Sequence, residues 1–388
     1  VIEYNCNQSG YEEIFRGILM IKLGILSDIH LDEWWTYAEP HDVWASSRLA
    51  DIVKAVEGAY EVFKENHIET VLHPGDLVHA KNLISIPVLE AFNYLTRNSN
   101  PGIFLDLESN HGIYDKIGTN HISHAFQSYD YDTHFGYCLV TNEFPFVIRK
   151  DFAVYGVPYT TTGERFENCV KQINKHYKNI KGGIHEHDFN IVMIHQGIKE
   201  AKLKNAPYIS ESQYSAGWLR EQFPWADLIV AGHYHDPQYF EKERVLIPGA
   251  ICQHTFSDAG SKRGFWIASF DKGEVELEFF KTKDVPRFHK VPYKKLKQKL
   301  EDKKIKKGDF VRVVVENQNE VNWTKSLLND KYHVSFENEK VENEMQLRDS
   351  TVSFDLDDKT LLKKYIQFKD PQDLELDKLE KYGLKVME

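Results

Sequence analysis

The sequence predicts an α/β protein with one large domain followed by a smaller one, and three observations carry that prediction. Apolar, β-rich runs alternate with segments of helical spacing through the first hundred residues. Five short polar signatures, Asp28-Ile29-His30, Gly75-Asp76, Asn110-His111, His195 and Gly232-His233-Tyr234-His235, mostly stand where such runs stop. Around Pro286 and Pro292 the pattern changes, and a compact unit of its own begins.

Lys22 to Ser27 is the first strand, followed by an aromatic loop holding Trp34, Trp35, Tyr37 and Trp44. Over 48–66, Leu49, Ile52, Val53, Val56, Tyr60 and Phe63 recur at helical spacing, which predicts a helix covering a sheet. Thr70 to Leu72 is a strand running into Pro74-Gly75-Asp76, 87–97 reads as a helix, and 103–107 is the next strand. Further strands are expected at 152–157, 189–194, 227–231, 244–247, 264–270 and 274–280. The last two form a hairpin across Asp271-Lys272-Gly273, so the sheets should be mixed. Beyond the break near 285 come a lysine-rich stretch, a strand at 310–315, and helical and strand-like pieces to about residue 356. From Lys359 onward two short amphipathic segments meet at Asp370-Pro371.

These patterns divide the chain into a main domain at 20–284, a capping unit at 285–357 and a C-terminal helical segment at 358–388. Residues 1–19 show neither a period nor a targeting signal, and Met20 stands directly before the first strand. They are expected to be a non-native or disordered leader. Hydrophobic content of 41% and charged content of 28% are those of a soluble protein, and no apolar run approaches the roughly 18 residues of a membrane span. Cys6, Cys138, Cys169 and Cys252 form no CxxC pair, which fits a reducing cytoplasm. The net charge of −11 argues against a polyanionic partner, but residues 294–307 carry a local balance of +6. That run is either a solvated helix face or a contact for nucleic acid.

In an α/β sheet, loops beyond the carboxyl ends of the strands converge on one crevice, so the five signatures can meet. Phosphodiester hydrolysis must gather negative charge on phosphoryl oxygens while producing hydroxide at neutral pH, and two divalent ions about 3.5–4 Å apart do both. Asp28 and His30 can grip one ion, and the two oxygens of Asp76 can bridge both. Asn110 offers an amide oxygen, His195 and His233 complete the second ion, and His235 completes the first. Mixed nitrogen and oxygen donors suit manganese, iron or zinc better than calcium or magnesium. With 18 histidines present, lone ones such as His67, His121 and His134 are expected at the surface or in ordinary core positions. His185 and His187 flank Glu186 in a Gly- and Lys-rich loop with no strand before it, and are expected to be exposed or structural.

The signatures resemble those of the calcineurin-like metallophosphoesterase superfamily over about residues 20–280. Within it, Gly75-Asp76-Leu77-Val78-His79, Ile247-Pro248-Gly249-Ala250 and Arg263-Gly264-Phe265-Trp266 resemble the bacterial and phage SbcD nucleases. The resemblance implies a four-layer sandwich, two mixed β-sheets inside and helices outside, with a small α+β capping domain. It also implies two manganese ions, DNA as substrate, an SbcC-like SMC-type ATPase as partner, a nuclease homodimer and a cytoplasmic location. His111 then becomes the proton donor to the leaving oxygen or a hydrogen-bond donor to the phosphate. One departure bears on that role. The family's Gly-Asn-His-Asp is Ser109-Asn110-His111-Gly112 here, so the carboxylate that would orient His111 is missing, with Asp106 or Asp115 as its substitute.

The function expected first is therefore a metal-dependent DNA nuclease subunit of an SbcCD-type complex in repair, recombination or replication. A phosphatase or cyclic-nucleotide phosphodiesterase on the same core is the second reading, and a DNA-end scaffold with weakened catalysis the third. In the C-terminal segment, Leu362, Ile366, Leu379 and Leu384 are expected to dock either on the capping unit or on the partner ATPase.

Overall fold

The protein's structure, a computed structural model, describes residues 20–79, 84–98, 102–112, 136–140, 146–148, 151–160, 162–181, 189–202, 213–328 and 332–338. The leader at 1–19, Asp115, His121, His134, the His185–His187 loop and the docking segment at 358–388 lie outside the described residues.

In chain order the first half contains β1 (Ile21–Ile25), β2 (Pro40–His41), β3 (Ala45–Ser46), α1 (Ser47–Glu65), β4 (Thr70–His73), α2 (Ile86–Asn98), β5 (Ile103–Leu107), β6 (Gly136–Val140), β7 (Phe146–Ile148) and β8 (Phe152–Val157). There follow α3 (Gly163–Lys181), β9 (Phe189–His195), β10 (Gly197–Ile198), β11 (Gln213–Tyr214), α4 (Ala216–Gln222), β12 (Leu228–Gly232), β13 (Gln238–Phe240) and β14 (Val245–Ile247). The hairpin β15 (Gly264–Asp271) and β16 (Glu274–Lys281) precedes β17 (Phe288–Pro292), α5 (Tyr293–Glu301), β18 (Phe310–Val315), α6 (Gln318–Leu328) and β19 (His333–Asn338).

Two six-stranded mixed sheets form the body, in the orders β16-β15-β1-β4-β5-β6 and β13-β14-β12-β9-β8-β7. In the first, β1, β4, β5 and β6 run parallel while β15 joins β1 antiparallel. In the second, β8, β9, β12 and β14 run parallel, with β7 and β13 antiparallel at the edges. The central strands are apolar on both faces, as strands covered on both sides must be. Leu23, Ile25, Leu72 and Leu105 of one sheet meet Val154, Ile191, Met193 and Val230 of the other in a buried core. The outer face of the first sheet packs on α1 and α2 through Ile52, Val56, Phe63 and Phe92, and that of the second on α3 and α4 through Phe166, Val170, Leu219 and Phe223. The layers thus run helix, sheet, sheet, helix.

Helix α1 starts where Ser46 caps it, its side chain accepting from the Leu49 N–H at 3.0 Å. The apolar stripe foreseen along it is buried, Leu49, Ile52, Val53, Val56 and Phe63 each at 1% exposure or less.

After β16 a separate three-stranded sheet, β17-β18-β19, carries α5 and α6. All its strands are parallel. This corrects the α+β expectation for the capping unit: through residue 338, strands and helices alternate, because each helix is a crossover between neighbouring parallel strands. Helix α5 buries Leu296 and leaves Lys294, Lys295 and Lys297 exposed. The unit is joined to the body by aromatic packing of Phe256 on Phe288 and Phe310. Between them Arg48 lies 4.9 Å from the Phe288 ring and 4.8 Å from the Phe310 ring. Among the described residues no helix is long and apolar enough to cross a membrane.

Candidate metal centre

The carboxyl ends of β1, β4, β5, β9 and β12 deliver Asp28, Asp76, Asn110, His195 and His233 to one place. The two loops after β1 and β4 are zipped by main-chain hydrogen bonds, Asp28 N–H to Gly75 O at 3.2 Å, His30 N–H to Asp76 O at 2.9 Å and Leu31 N–H to Leu77 O at 2.8 Å. That pairing requires sharp turns. Asp28, His30, Asp76 and His233 all have left-handed backbone, with φ of 49°, 50°, 59° and 88°. Non-glycine residues hold such angles at a cost of order 1–3 kcal/mol each, and the surrounding hydrogen bonds keep them there.

Three groups of ligand atoms lie within 4.8 Å of one another: Asp28, His30 and His235; Asp76, His195 and His233; and His30, His79 and His111. The first two hold six of the seven foreseen ligands. The seventh, Asn110, places Oδ1 2.8 Å from His195 Nε2. Asp76 Oδ2 lies 3.5 Å from His30 Nε2 and 3.4 Å from His195 Nε2, so one carboxylate oxygen stands between the two groups.

Second partners fix which ring nitrogen faces inward. His195 Nδ1 lies 2.6 Å from the Pro74 carbonyl, which only accepts, so Nδ1 carries a proton and Nε2 is the nitrogen turned toward Asn110 and Asp76. His235 Nδ1 is likewise matched by Asp258 Oδ1 at 3.1 Å, while its Nε2 faces His30 Nε2 at 3.1 Å. Asp28 accepts from Ser27 Oγ and from the His233 N–H at 3.0 Å. The Ser109 hydroxyl accepts the Asp76 N–H at 2.8 Å.

Electrostatics follow from burial and from Asp76. Burial acts to raise the Asp76 pKa, but His195, His30 and His111 outweigh it and hold the carboxylate well below its usual range. Burial acts to lower His195, yet Asp76 beside it pushes the imidazole up to about 9. His233, buried and facing His195, is pushed down to about 3, and burial also holds His30 well below its ordinary value. Strongly perturbed basicity of this kind clusters at functional sites, which makes this cluster a candidate one.

His111 is 23% exposed, with Nε2 3.9 Å from Asp76 Oδ2 and Nδ1 3.2 Å from the His79 carbonyl. The orienting group is therefore a main-chain oxygen. Asp106, foreseen as a substitute carboxylate, is instead paired with His73 Nδ1 at 2.6 Å, and Asp115 is outside the described residues. Four residues at the site had no predicted role. His79 approaches His30, with their Nδ1 atoms 3.1 Å apart. Trp34 packs on the His79 and His254 rings at 4.2 and 5.4 Å, and His254 Nε2 faces the Asp28 carbonyl at 3.3 Å. Asp258 braces His235. His67, by contrast, is exposed, as its isolation in sequence suggested.

The chain matches no known protein-family profile. A solved crystal structure aligns with it over 68% of this chain and 100% of its own length, at 11% identity and a TM-score of 0.41.

Proposed function

We propose that the chain is a two-metal-dependent phosphodiesterase acting on DNA, a nuclease subunit of the calcineurin-like type most similar to SbcD. The observation that supports this best is the position of Asp76 Oδ2, within 3.5 Å of a histidine from each ligand group. The donor set fits divalent ions of borderline softness, since imidazole nitrogens and carboxylate oxygens converge while the outer nitrogens of His195 and His235 are already hydrogen-bonded. Asp28, His30 and His235 would hold one ion, Asn110, His195 and His233 the other, and Asp76 both. Manganese is the proposed metal. Two ions bound there supply charge neutralisation for the phosphoryl oxygens and a water of lowered pKa.

The chain's own contribution is orientation and proton transfer. The His79 carbonyl holds the His111 ring through Nδ1, so His111 Nε2 is the atom free to meet a phosphate or leaving-group oxygen. That arrangement weakens the case for a scaffold with failed catalysis, because a main-chain acceptor serves where the acidic neighbour is missing. The partner ATPase and a second copy of the chain complete the proposed assembly. The test is incubation with manganese and end-labelled single- and double-stranded DNA beside bis-p-nitrophenyl phosphate. Manganese-dependent cleavage of DNA supports the reading; hydrolysis of the small ester alone favours a small-substrate phosphodiesterase, and no hydrolysis of either refutes both.

A further inference from the structure

Arg263 carries the polar network out of the metal centre, donating from Nη2 to Asp258 Oδ1 and from Nη1 to the His235 carbonyl, both at 2.7 Å. Its side chain is only 6% exposed, and its Nε has no hydrogen-bond partner. A buried N–H left unmatched calls for a reason. Arg263 also lines a shallow cleft between the end of β16 and the start of β17, together with Ser261, Lys281, Thr282 and Arg287.

The cleft is strongly cationic. Arg287 first, then burial, Lys262 and Lys306, hold the Lys281 ammonium below its ordinary value, so all four cations share one region. They are exposed, and among the described residues none of their side chains has a hydrogen-bond or ion-pair partner. The carboxylates that touch this region are engaged elsewhere. Asp258 serves Arg263, His235 and the His254 N–H, while Asp309 accepts the main-chain N–H groups of Arg287 at 3.0 Å and Lys306 at 2.8 Å. One buried carboxylate thus fixes the backbone of two of the four cations, while the Phe288 N–H binds Gln253 Oε1 at 2.7 Å and anchors the strand beside them. Lys281 and Arg287 line the cleft beside the unmatched Arg263 N–H, with Lys262 and Lys306 near enough to repel Lys281, and an oxyanion with several acceptor oxygens would neutralise the set.

We propose that this cleft is a phosphoryl-binding site that takes a backbone phosphate of the nucleic-acid strand, distinct from the phosphate at the metal centre. The proposal rests on the DNA phosphodiesterase reading for the identity of the strand. On a chain of net charge −11, the cleft is a local attractor for a polyanion, and Asp258 links it to the ligand His235.

The test compares Lys281→Gln/Arg287→Gln with Lys295→Gln/Lys297→Gln, which removes the same charge from exposed positions on α5. Both pairs are exposed, so the fold should tolerate them. In EDTA, fluorescence anisotropy of labelled DNA is followed over roughly 50 to 200 mM salt. The cleft pair should lose about tenfold in affinity and flatten the slope of log K against log salt by about 1, one phosphate contact, whereas the α5 pair should change affinity by less than about threefold. A second arm titrates pyrophosphate calorimetrically, without DNA. Pyrophosphate binding that is lost in the cleft pair while DNA affinity stays level would assign the site to free phosphates and overturn the strand assignment. Equal losses in both pairs, or none in either, would overturn the site. Neither arm contains a divalent ion, so a failure of manganese-dependent hydrolysis leaves both readouts standing on their own.

Discussion

Asp258 accepts from Nδ1 of His235 across 3.1 Å and from Arg263 Nη2 across 2.7 Å, so a carboxylate from outside the five signatures orients a proposed ligand. Such outer partners typically change metal affinity by about 10- to 100-fold. Asp258→Asn keeps the volume and removes the charge, so manganese affinity at the Asp28–His30–His235 group should fall by about that factor in calorimetric titration. The buried Arg263 then keeps only Asp236, 3.3 Å away, as counter-charge, and the melting temperature should fall too. Unchanged affinity would show that the Pro74-type main-chain bracing elsewhere in the site is sufficient.

Asp76 and His111 separate metal retention from turnover. Asp76→Asn removes the charge shared by the two ligand groups, and hydrolysis should disappear while circular dichroism stays that of the native fold. His111→Ala leaves all seven proposed ligands in place, so the protein should keep its manganese by elemental analysis and lose about 10²- to 10⁴-fold in turnover. Loss of metal from the His111 variant would make it a ligand, through the group it forms with His30 and His79.

Gly75 is fixed by its neighbours and by its own backbone. Its φ is +102°, and a Cβ there would lie 2.4 Å from His195 Nδ1 and 2.8 Å from Ser109 Cβ. Both neighbours are buried and hydrogen-bonded, so neither yields easily. Gly75→Ala should destabilise by about 2–4 kcal/mol, from the left-handed backbone and the overpacking together, in a denaturant titration. It should also weaken metal binding by displacing the His195 ring. A midpoint within error of the parent protein would mean that the loop relaxes without cost.

How much of this was legible depends on whether the signal is local. Strands β5, β8 and β18 were read to the residue, because continuous apolar runs bounded by turn residues mark strands covered on both faces. Helix α3 was missed. Its composition is dominated by Lys, Asn and Glu, although Phe166, Val170, Ile173 and Tyr177 recur at helical spacing and do pack on the second sheet. The residues that meet at the candidate site were visible because strand ends announce themselves. Asp258 was not, since locally Thr255-x-x-Asp258 is only a capping box on a short 3-10 turn, and its approach to His235 is a tertiary contact. The parallel β17-β18-β19 unit was hard to read for a similar reason: residues 333–337 are half-buried and the strand's sequence carries Ser335, Glu337 and Asn338.

Asp51 gives a stability prediction independent of any metal. Burial on α1 pushes its carboxyl from 3.8 up to about 6, although Arg48 and Lys54 pull it down. A folded-state pKa above the unfolded value means the native protein holds this proton more tightly. Stability from Asp51 is therefore present below about pH 4 and is lost as pH rises to about 6. Asp51→Asn does not titrate, so its denaturation free energy relative to the parent should climb through that window. Above pH 6 the gain should level at about 1–2 kcal/mol, discounted for partial solvent screening. Urea titrations at pH 4 and pH 7.5 measure it. The opposite result, a variant destabilised at pH 7.5, would mean that the Asp51 charge is needed to hold Arg48 between Phe288 and Phe310, and that the pairing outweighs the burial.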